Sequence, residues 1–298
     1  MKRLADWWFA PAPPERLAAL RIVIGLFALF VVTFEAHAIF ELARLEGAHF
    51  APVGLARVSG HLPIAAVTAL IVATGALLVA FVLGLGYRYT APLAALGLVW
   101  TLCYRNSWGM VFHTENLLVL HVLALAFAPA ADVWAVGRRR EPSGTEGAGY
   151  GWAIKLLVAL TAATYVLAGI AKLRIAGLGW LDGDLLRNQI AFDNLRKAVY
   201  GDRIAPLATV MLGHASGFTV FSVMTLVLEL GAPIALLGGR YAHAWALASW
   251  GFHLGVILMM YIVFPYPVFG LAYLPLFRVE RPIDWLRRWL VGRFRPQA

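Results

Sequence analysis

Eight apolar stretches dominate this sequence, and most of them are long enough to cross a membrane as α-helices. The hydrocarbon core of a bilayer is about 30 Å thick, which about 20 apolar residues span as a helix. The stretches are residues 17–39, 62–85, 90–104, 115–136, 152–174, 217–238, 241–263 and 265–277. Because Pro265, Pro267 and Pro275 interrupt the last one, we expect it to be re-entrant or strongly kinked.

The composition supports a membrane protein. Hydrophobic residues make up 61% of the 298 residues and charged residues 14%, whereas soluble domains are about 45–50% apolar and about 25% charged. A soluble chain of this length has too little interior to bury so much apolar surface. We predict an all-α, polytopic integral membrane helical bundle with about eight transmembrane segments. Residues 1–281 form one membrane domain, and 282–298 form a basic amphipathic cytoplasmic tail.

The distribution of basic residues predicts the orientation. Arg138, Arg139 and Arg140 lie together between the fourth and fifth stretches, and six further arginines follow residue 277. Lysine and arginine concentrate in cytoplasmic loops, so we predict cytoplasmic termini and a multi-pass protein of a bacterial-type inner membrane. The net charge of +9 is then due to topology and lipid contact. The sequence contains no nucleic-acid-binding motif, and we predict no nucleic-acid partner.

Two segments outside the spans are typical of helices that lie on a membrane surface. Residues 282–293 combine Trp285 and Trp289 with several arginines, which favours an interfacial helix on anionic lipid. Residues 180–200 alternate apolar and charged positions, and we predict a helix lying on the outer surface there.

Ionisable and polar residues inside the stretches are the candidate functional residues. Each ionisable side chain at the centre of a span costs about 2.5–3.5 kcal/mol on insertion scales. Most of these residues fall in the outer half of the predicted membrane, which suggests a pocket that opens outward or sideways into lipid. They are Glu35, His37, His113, Glu115, Asn116, His121, Lys172, Glu229 and His253.

Structural interpretations remain open for most of them. Lys172 lies where a lysine often extends its amine to the headgroups, and His121 and His253 can hydrogen-bond between helices. Glu35 has Arg105 as a candidate partner. Glu229, in the middle of the sixth stretch, requires a partner or a proton. Within the apolar stretches no HxxxH, HExxH or Glu-x-x-His pair is present, so we predict no metal site.

Residues 164–184, TYVLAGIAKLRIAGLGWLDGD, carry a family resemblance. They resemble the membrane part of the vitamin K-dependent γ-glutamyl carboxylases and of the wider bacterial family with the same helical core, the horizontally transferred transmembrane (HTTM) family. The shared pattern is an aromatic residue, an Ala-Gly pair, a lysine and a Trp-Leu-Asp-Gly segment. Here these are Tyr165, Ala168-Gly169, Lys172 and residues 180–183.

Two further segments follow the same chain order. Residues 105–120 are similar to a carboxylase stretch with a histidine shortly after Ser-Trp, which corresponds to His113. Residues 249–260 resemble a later helix with a histidine of the active-site region, which corresponds to His253. The sequence departs from the carboxylases at Ala171, where they have a second lysine. It also shows no large extramembrane domain for propeptide binding, so we do not expect that recognition here.

The resemblance implies a quinol-dependent carboxylase-like enzyme of the carbon–carbon lyase class. Lys172 would act as a base toward a reduced naphthoquinone (vitamin K or menaquinol), with His113 as its catalytic partner. The oxygenated quinone would then supply the base that removes a glutamate γ-proton of an exported peptide, and carbon dioxide would add to the resulting carbanion. His253, Tyr165 and Glu229 would line the cofactor site.

Two other functions fit a chain of this kind. One is a non-catalytic membrane factor that binds or matures an exported peptide, because fold alone does not determine function. The other is a small-solute or proton-coupled carrier. A carrier is disfavoured because the acids concentrate on one side of the membrane instead of lining a path across it.

Overall fold

Helices are the regular structure of residues 2–137 and 147–293, the part of the chain that the computed structural model describes. One antiparallel bridge joins Ala12 to Gly147. In chain order the α-helices are α1 (Lys2–Trp8), α2 (Pro14–Leu42), α3 (Ala56–Ser59), α4 (Ile64–Leu83), α5 (Tyr87–Arg105), α6 (Asn116–Ala126), α7 (Ala148–Ala176), α8 (Asp184–Val199), α9 (Pro206–Met211), α10 (Ala215–Leu230), α11 (Gly239–Met260), α12 (Pro265–Val268) and α13 (Glu280–Arg293). The predicted all-α class is confirmed. The triple arginine at 138–140 lies outside the described residues.

Four helical stretches are long and apolar enough to cross a membrane: Pro14–Leu42, Ile64–Leu83, Gly149–Asp182 and Gly239–Met260. The third is α7 continued by a 3₁₀ turn. α6 and α10 are apolar but shorter. All of these helices coincide with predicted spans, and the structure gives full-length apolar helices for four of the eight predicted stretches.

Two compact units make up the chain. The first contains residues 1–157 and 278–298, and the second contains residues 158–277. In the first unit α2 packs along α4, α4 packs along α5, and α13 contacts α2. In the second, α10 contacts α8 and α11 contacts α9. Most of the predicted C-terminal tail is helical, since α13 begins at Glu280.

The fourth predicted span, 115–136, has a wrong boundary because its helix ends at Ala126. The chain then continues through turns. Arg21 of α2, fully buried, donates hydrogen bonds to two carbonyl oxygens there, at 2.8 Å to Ala130 and 2.6 Å to Trp134. A buried carbonyl without a partner is costly, and a side-chain donor therefore takes the place of the missing helical bonds.

The last apolar stretch, 265–277, consists of α12 and a 3₁₀ segment and runs antiparallel beside α11. Three side chains donate to its carbonyls: Thr161 Oγ1 to Ala272 at 3.1 Å, Trp250 Nε1 to Val268 at 2.8 Å, and His243 Nε2 to Leu276 at 3.2 Å. Irregular backbone at membrane depth is tolerated where protein groups satisfy it. The prediction of a broken segment is confirmed, and the side chains that support it come from α7 and α11.

An ion pair in the first unit joins a segment near the start of the chain to one near its end. Arg16, near the start of α2, forms a bidentate pair with Glu280, at 2.8 Å and 3.0 Å. Because Glu280 begins α13, the pair holds the start of α13 beside the start of α2.

Candidate active site

Lys172 and Glu229 form an ion pair in the second unit. The Lys172 amine donates to both carboxylate oxygens of Glu229, at 2.5 Å and 2.7 Å. The Glu229 side chain is 3% exposed, whereas that of Lys172 is 22% exposed. The carboxylate is thus enclosed behind an amine that can still be reached from outside. The partner that Glu229 requires is Lys172, a pairing between α7 and α10 that the sequence did not predict.

A glycine lets the two helices come close enough for this pair. A Cβ atom on Gly169 would lie 2.8 Å from Leu230 Cδ2 and 3.2 Å from Glu229 Cβ. Gly169 is almost one turn before Lys172, so both residues lie on the same side of α7. Small residues at a membrane helix interface allow close backbone approach, as the Ala-Gly pair in the sequence suggests.

Trp180 closes the site on one side. Its ring lies 5.4 Å from the Lys172 amine, within cation–π range. Its indole nitrogen donates to the Ser222 carbonyl at 3.3 Å, and this links the turn after α7 to α10. Trp180 is 7% exposed. The sequence pattern included this tryptophan, but its contact with the lysine emerges only in the structure.

Deeper along α7, Tyr165 is the centre of a hydrogen-bonded chain. Its hydroxyl lies 2.6 Å from the Tyr273 hydroxyl and 2.9 Å from His253 Nε2. Trp245 packs edge-on against the Tyr165 ring at 5.0 Å. Tyr165 and His253 were predicted as cofactor-site residues, and the structure brings them together. Tyr273 was missed because it lies in the proline-interrupted stretch, where no helical periodicity indicates which residues face the bundle.

His253 carries a second nitrogen without a protein partner. Its Nδ1 is buried and accepts or donates no hydrogen bond among the described residues. The rings of Phe252 and Phe264 flank the imidazole at 5.2 Å and 5.3 Å. In either neutral tautomer one polar atom of this imidazole is left over for a ligand or a water molecule. The expected interhelical hydrogen bond of His253 is also present, through Tyr165.

His113, the second predicted catalytic residue, lies in the first unit, in an exposed segment between α5 and α6. Lys172 belongs to the second unit. The segment is held by Asn106, whose Nδ2 donates to the Phe112 carbonyl at 2.9 Å and whose Oδ1 accepts from the Phe112 amide at 3.3 Å. Because Phe112 directly precedes His113, Asn106 fixes the backbone that carries the histidine.

Arg105 joins three parts of the first unit beside this segment. It pairs with Glu35 of α2 at 3.0 Å and with Glu115 at 2.6 Å, and its guanidinium lies 5.4 Å from the Phe112 ring centre. The predicted pairing of Glu35 with Arg105 is confirmed. Likewise, His121 contacts the Leu157 carbonyl between α6 and α7 at 3.1 Å, as expected of a structural histidine.

A family model for the HTTM domain matches residues 9–285, nearly the whole chain. The chain belongs to the HTTM domain family. No curated protein and no solved structure matches it significantly. Together with the apolar helices, the family assignment makes the chain a membrane protein and confirms the resemblance to the HTTM family.

The close contact at Gly169 gives a testable consequence for this HTTM protein. We expect Gly169→Val to push α7 away from α10 and to lower stability by about 1–3 kcal/mol, the usual effect of overpacking. Gly255→Val is the matched control in the same unit, because a Cβ at Gly255 meets nothing within 4 Å. Thermal unfolding of the purified proteins in detergent measures the difference. Equal unfolding temperatures for the two variants would contradict the packing argument.

Proposed function

We propose that this HTTM protein is a quinol-dependent, carboxylase-like enzyme whose base is the Lys172–Glu229 pair. The observation that carries the proposal is the double contact of the Lys172 amine with Glu229, at 2.5 Å and 2.7 Å, inside an apolar bundle. A buried ion pair is weak evidence for stability, because apolar residues of similar volume often serve as well or better. A catalytic role explains better why two charged residues are placed in membrane helices.

The pair can deliver a neutral amine without separating charge. If one proton moves from the Lys172 ammonium to Glu229, two charges become two neutral groups, which an apolar surrounding favours. The neutral amine then accepts a proton from an acidic hydroxyl presented at its exposed side. Glu229 holds the first proton, so the protein does not need to release it to bulk water.

The residues around the pair fit a reduced naphthoquinone, a flat aromatic molecule with two hydroxyls. The 22% exposure of the Lys172 side chain leaves its amine accessible, and Trp180 offers an aromatic wall. When bound, the reduced naphthoquinone supplies, with oxygen, the base strength needed to remove a glutamate γ-proton. Lys172 takes the hydroxyl proton. The Tyr165–His253 chain and Glu229 provide further polar groups in the same unit. We propose an exported peptide as the substrate.

We also propose the finer topology. Cytoplasmic termini are supported by the bases around the two terminal helices and by the Arg16–Glu280 contact, which puts the helix starts together. Termini on one face require an even number of crossings. The stretch 265–277, which follows α11 back along its length, supplies the eighth crossing of a multi-pass protein in a bacterial-type inner membrane. Lys172 then faces the extracytoplasmic side.

The test is an assay on the full-length protein in liposomes. Reduced naphthoquinone, oxygen, labelled bicarbonate and glutamate-rich peptides are supplied, and both quinol oxidation and fixed label are measured. We expect both activities with the wild type and with Lys155→Met, which removes a lysine from the opposite end of α7 where it contacts Trp7. Lys172→Met should lose them. Equal activity of the two variants, or none with the wild type, would overturn the proposal.

A further inference from the structure

Helix α8 lies where two membrane helices end. It begins at Asp184, directly after the stretch Gly149–Asp182. Near its other end the Lys197 amine donates to the carbonyl of Met260, which is the last residue of α11. Since both of these long apolar helices end against it, α8 lies at the level of the lipid headgroups. The helix predicted over residues 180–200 is present as α8.

One face of α8 packs inward and another is exposed and apolar. Ile190 and Asn194 are buried, and the Asn194 amide donates to the Met259 carbonyl at 3.0 Å. The exposed apolar side chains recur seven, three and four residues apart, the spacing of one helical stripe. They are Leu185, Phe192, Leu195 and Val199, and their exposed fractions lie between 44% and 74%.

A cavity of about 310 Å³ lies at the C-terminal end of α8, lined by Lys197, Asp202, Arg203 and Tyr261. Tyr261 ends α11 in the left-handed region, with φ of 48°. A bulky residue there is uncommon and strained. Tyr261 is 43% exposed and lines the cavity. A tyrosine at this depth is typical of the membrane interface.

The charges of the cavity are of both signs. Lys197 is already engaged, since it pairs with Asp193 at 2.8 Å. Burial raises the pKa of Asp193, but hydrogen bonds from Lys197 and Arg196 outweigh it and leave the pKa below the usual value. In the described part of the chain, by contrast, neither the Arg203 guanidinium nor the Asp202 carboxylate has an ion-pair partner. Asp202 accepts the backbone amide of Arg203 at 2.7 Å.

We propose that this cavity binds the headgroup of a zwitterionic phospholipid with a primary amine, of the phosphoethanolamine type. The Arg203 guanidinium binds the phosphate, for which its planar donors are suited. The Asp202 carboxylate accepts a hydrogen bond from the ammonium. A purely anionic lipid would leave Asp202 facing a negative charge, so the pair of opposite charges selects for the amine. This site is independent of the Lys172–Glu229 proposal.

Native mass spectrometry of the purified full-length protein tests this site. We expect phosphatidylethanolamine to be retained several-fold better than phosphatidylglycerol, and Arg203→Gln to reduce its retention about tenfold, the loss of one charge-assisted contact. Asp202→Asn should remove the preference between the two lipids while binding of phosphatidylglycerol persists. Arg44→Gln, at an arginine whose side chain is 62% exposed in the first unit, is the charge-matched control.

Thermal unfolding in detergent distinguishes binding of a lipid headgroup from binding of free phosphate. Vesicle-derived phosphatidylethanolamine should raise the unfolding temperature of the wild type, and inorganic phosphate should not. Three outcomes would overturn the proposal: equal retention of both lipids by the wild type, no difference between Arg203→Gln and Arg44→Gln, or an Arg203-dependent stabilisation by inorganic phosphate that equals that of the lipid.

Discussion

Replacing Lys172 by methionine should destabilise the protein more than replacing Glu229 by leucine, and replacing both together should recover most of the loss. Removing one partner of a buried pair costs about 3–5 kcal/mol, because the other is left uncompensated. Glu229 is the more enclosed partner, with 3% of its side chain exposed against 22% for Lys172. An unpaired lysine can extend toward the headgroups, whereas an unpaired Glu229 has no such exit.

Unfolding of the three variants in detergent, followed by heat or by denaturant, measures this order. Lys155→Met again serves as control. The double variant is informative because it separates stability from activity. We expect it to unfold close to the wild type and to be inactive in the liposome assay. If it is as unstable as Lys172→Met, the pair is structural, and the reason for placing a base there disappears.

The membrane helices could be predicted from the sequence because each is a long apolar run, but their facing surfaces could not. A helix that is apolar all round carries little information about which side meets a neighbour. Lys172 and Glu229 were therefore identified individually, 57 residues apart, without their pairing. Composition and the small residue Gly169 indicated a close helix contact, but only the structure identifies α10 as the partner.

The irregular segments were the hardest part to predict. Residues 127–136 are also mostly apolar, although Pro129 lowers the preference for helix. What stabilises the turns is Arg21, more than 100 residues earlier in the chain. Tyr273 was missed for a similar reason. The side chains that donate to the carbonyls of its segment, and the Tyr165 hydroxyl, come from other helices. Long-range donors of this kind leave no local pattern.

Arg21→Met should be the most destabilising substitution in the first unit. Arg21 is fully buried, and its two terminal nitrogens bind the carbonyls of Ala130 and Trp134 at 2.8 Å and 2.6 Å. Each buried carbonyl left without a donor costs about 1–3 kcal/mol. Removing the guanidinium also removes its own desolvation penalty, so the net loss should be smaller than the sum for two carbonyls.

Arg21→Lys provides the graded comparison. An ammonium keeps the charge but lacks the planar fork that reaches two acceptors at once, so we expect one carbonyl to be satisfied and about half of the loss. Arg88→Met, at an exposed arginine near the start of α5 that contacts Tyr89, is the control in the same unit. Thermal unfolding gives the order of stability, and protease cleavage within 127–137 reports on the turns directly. The role of Arg21 would be refuted if Arg21→Met matched Arg88→Met in both measurements, because the carbonyls would then have found other donors.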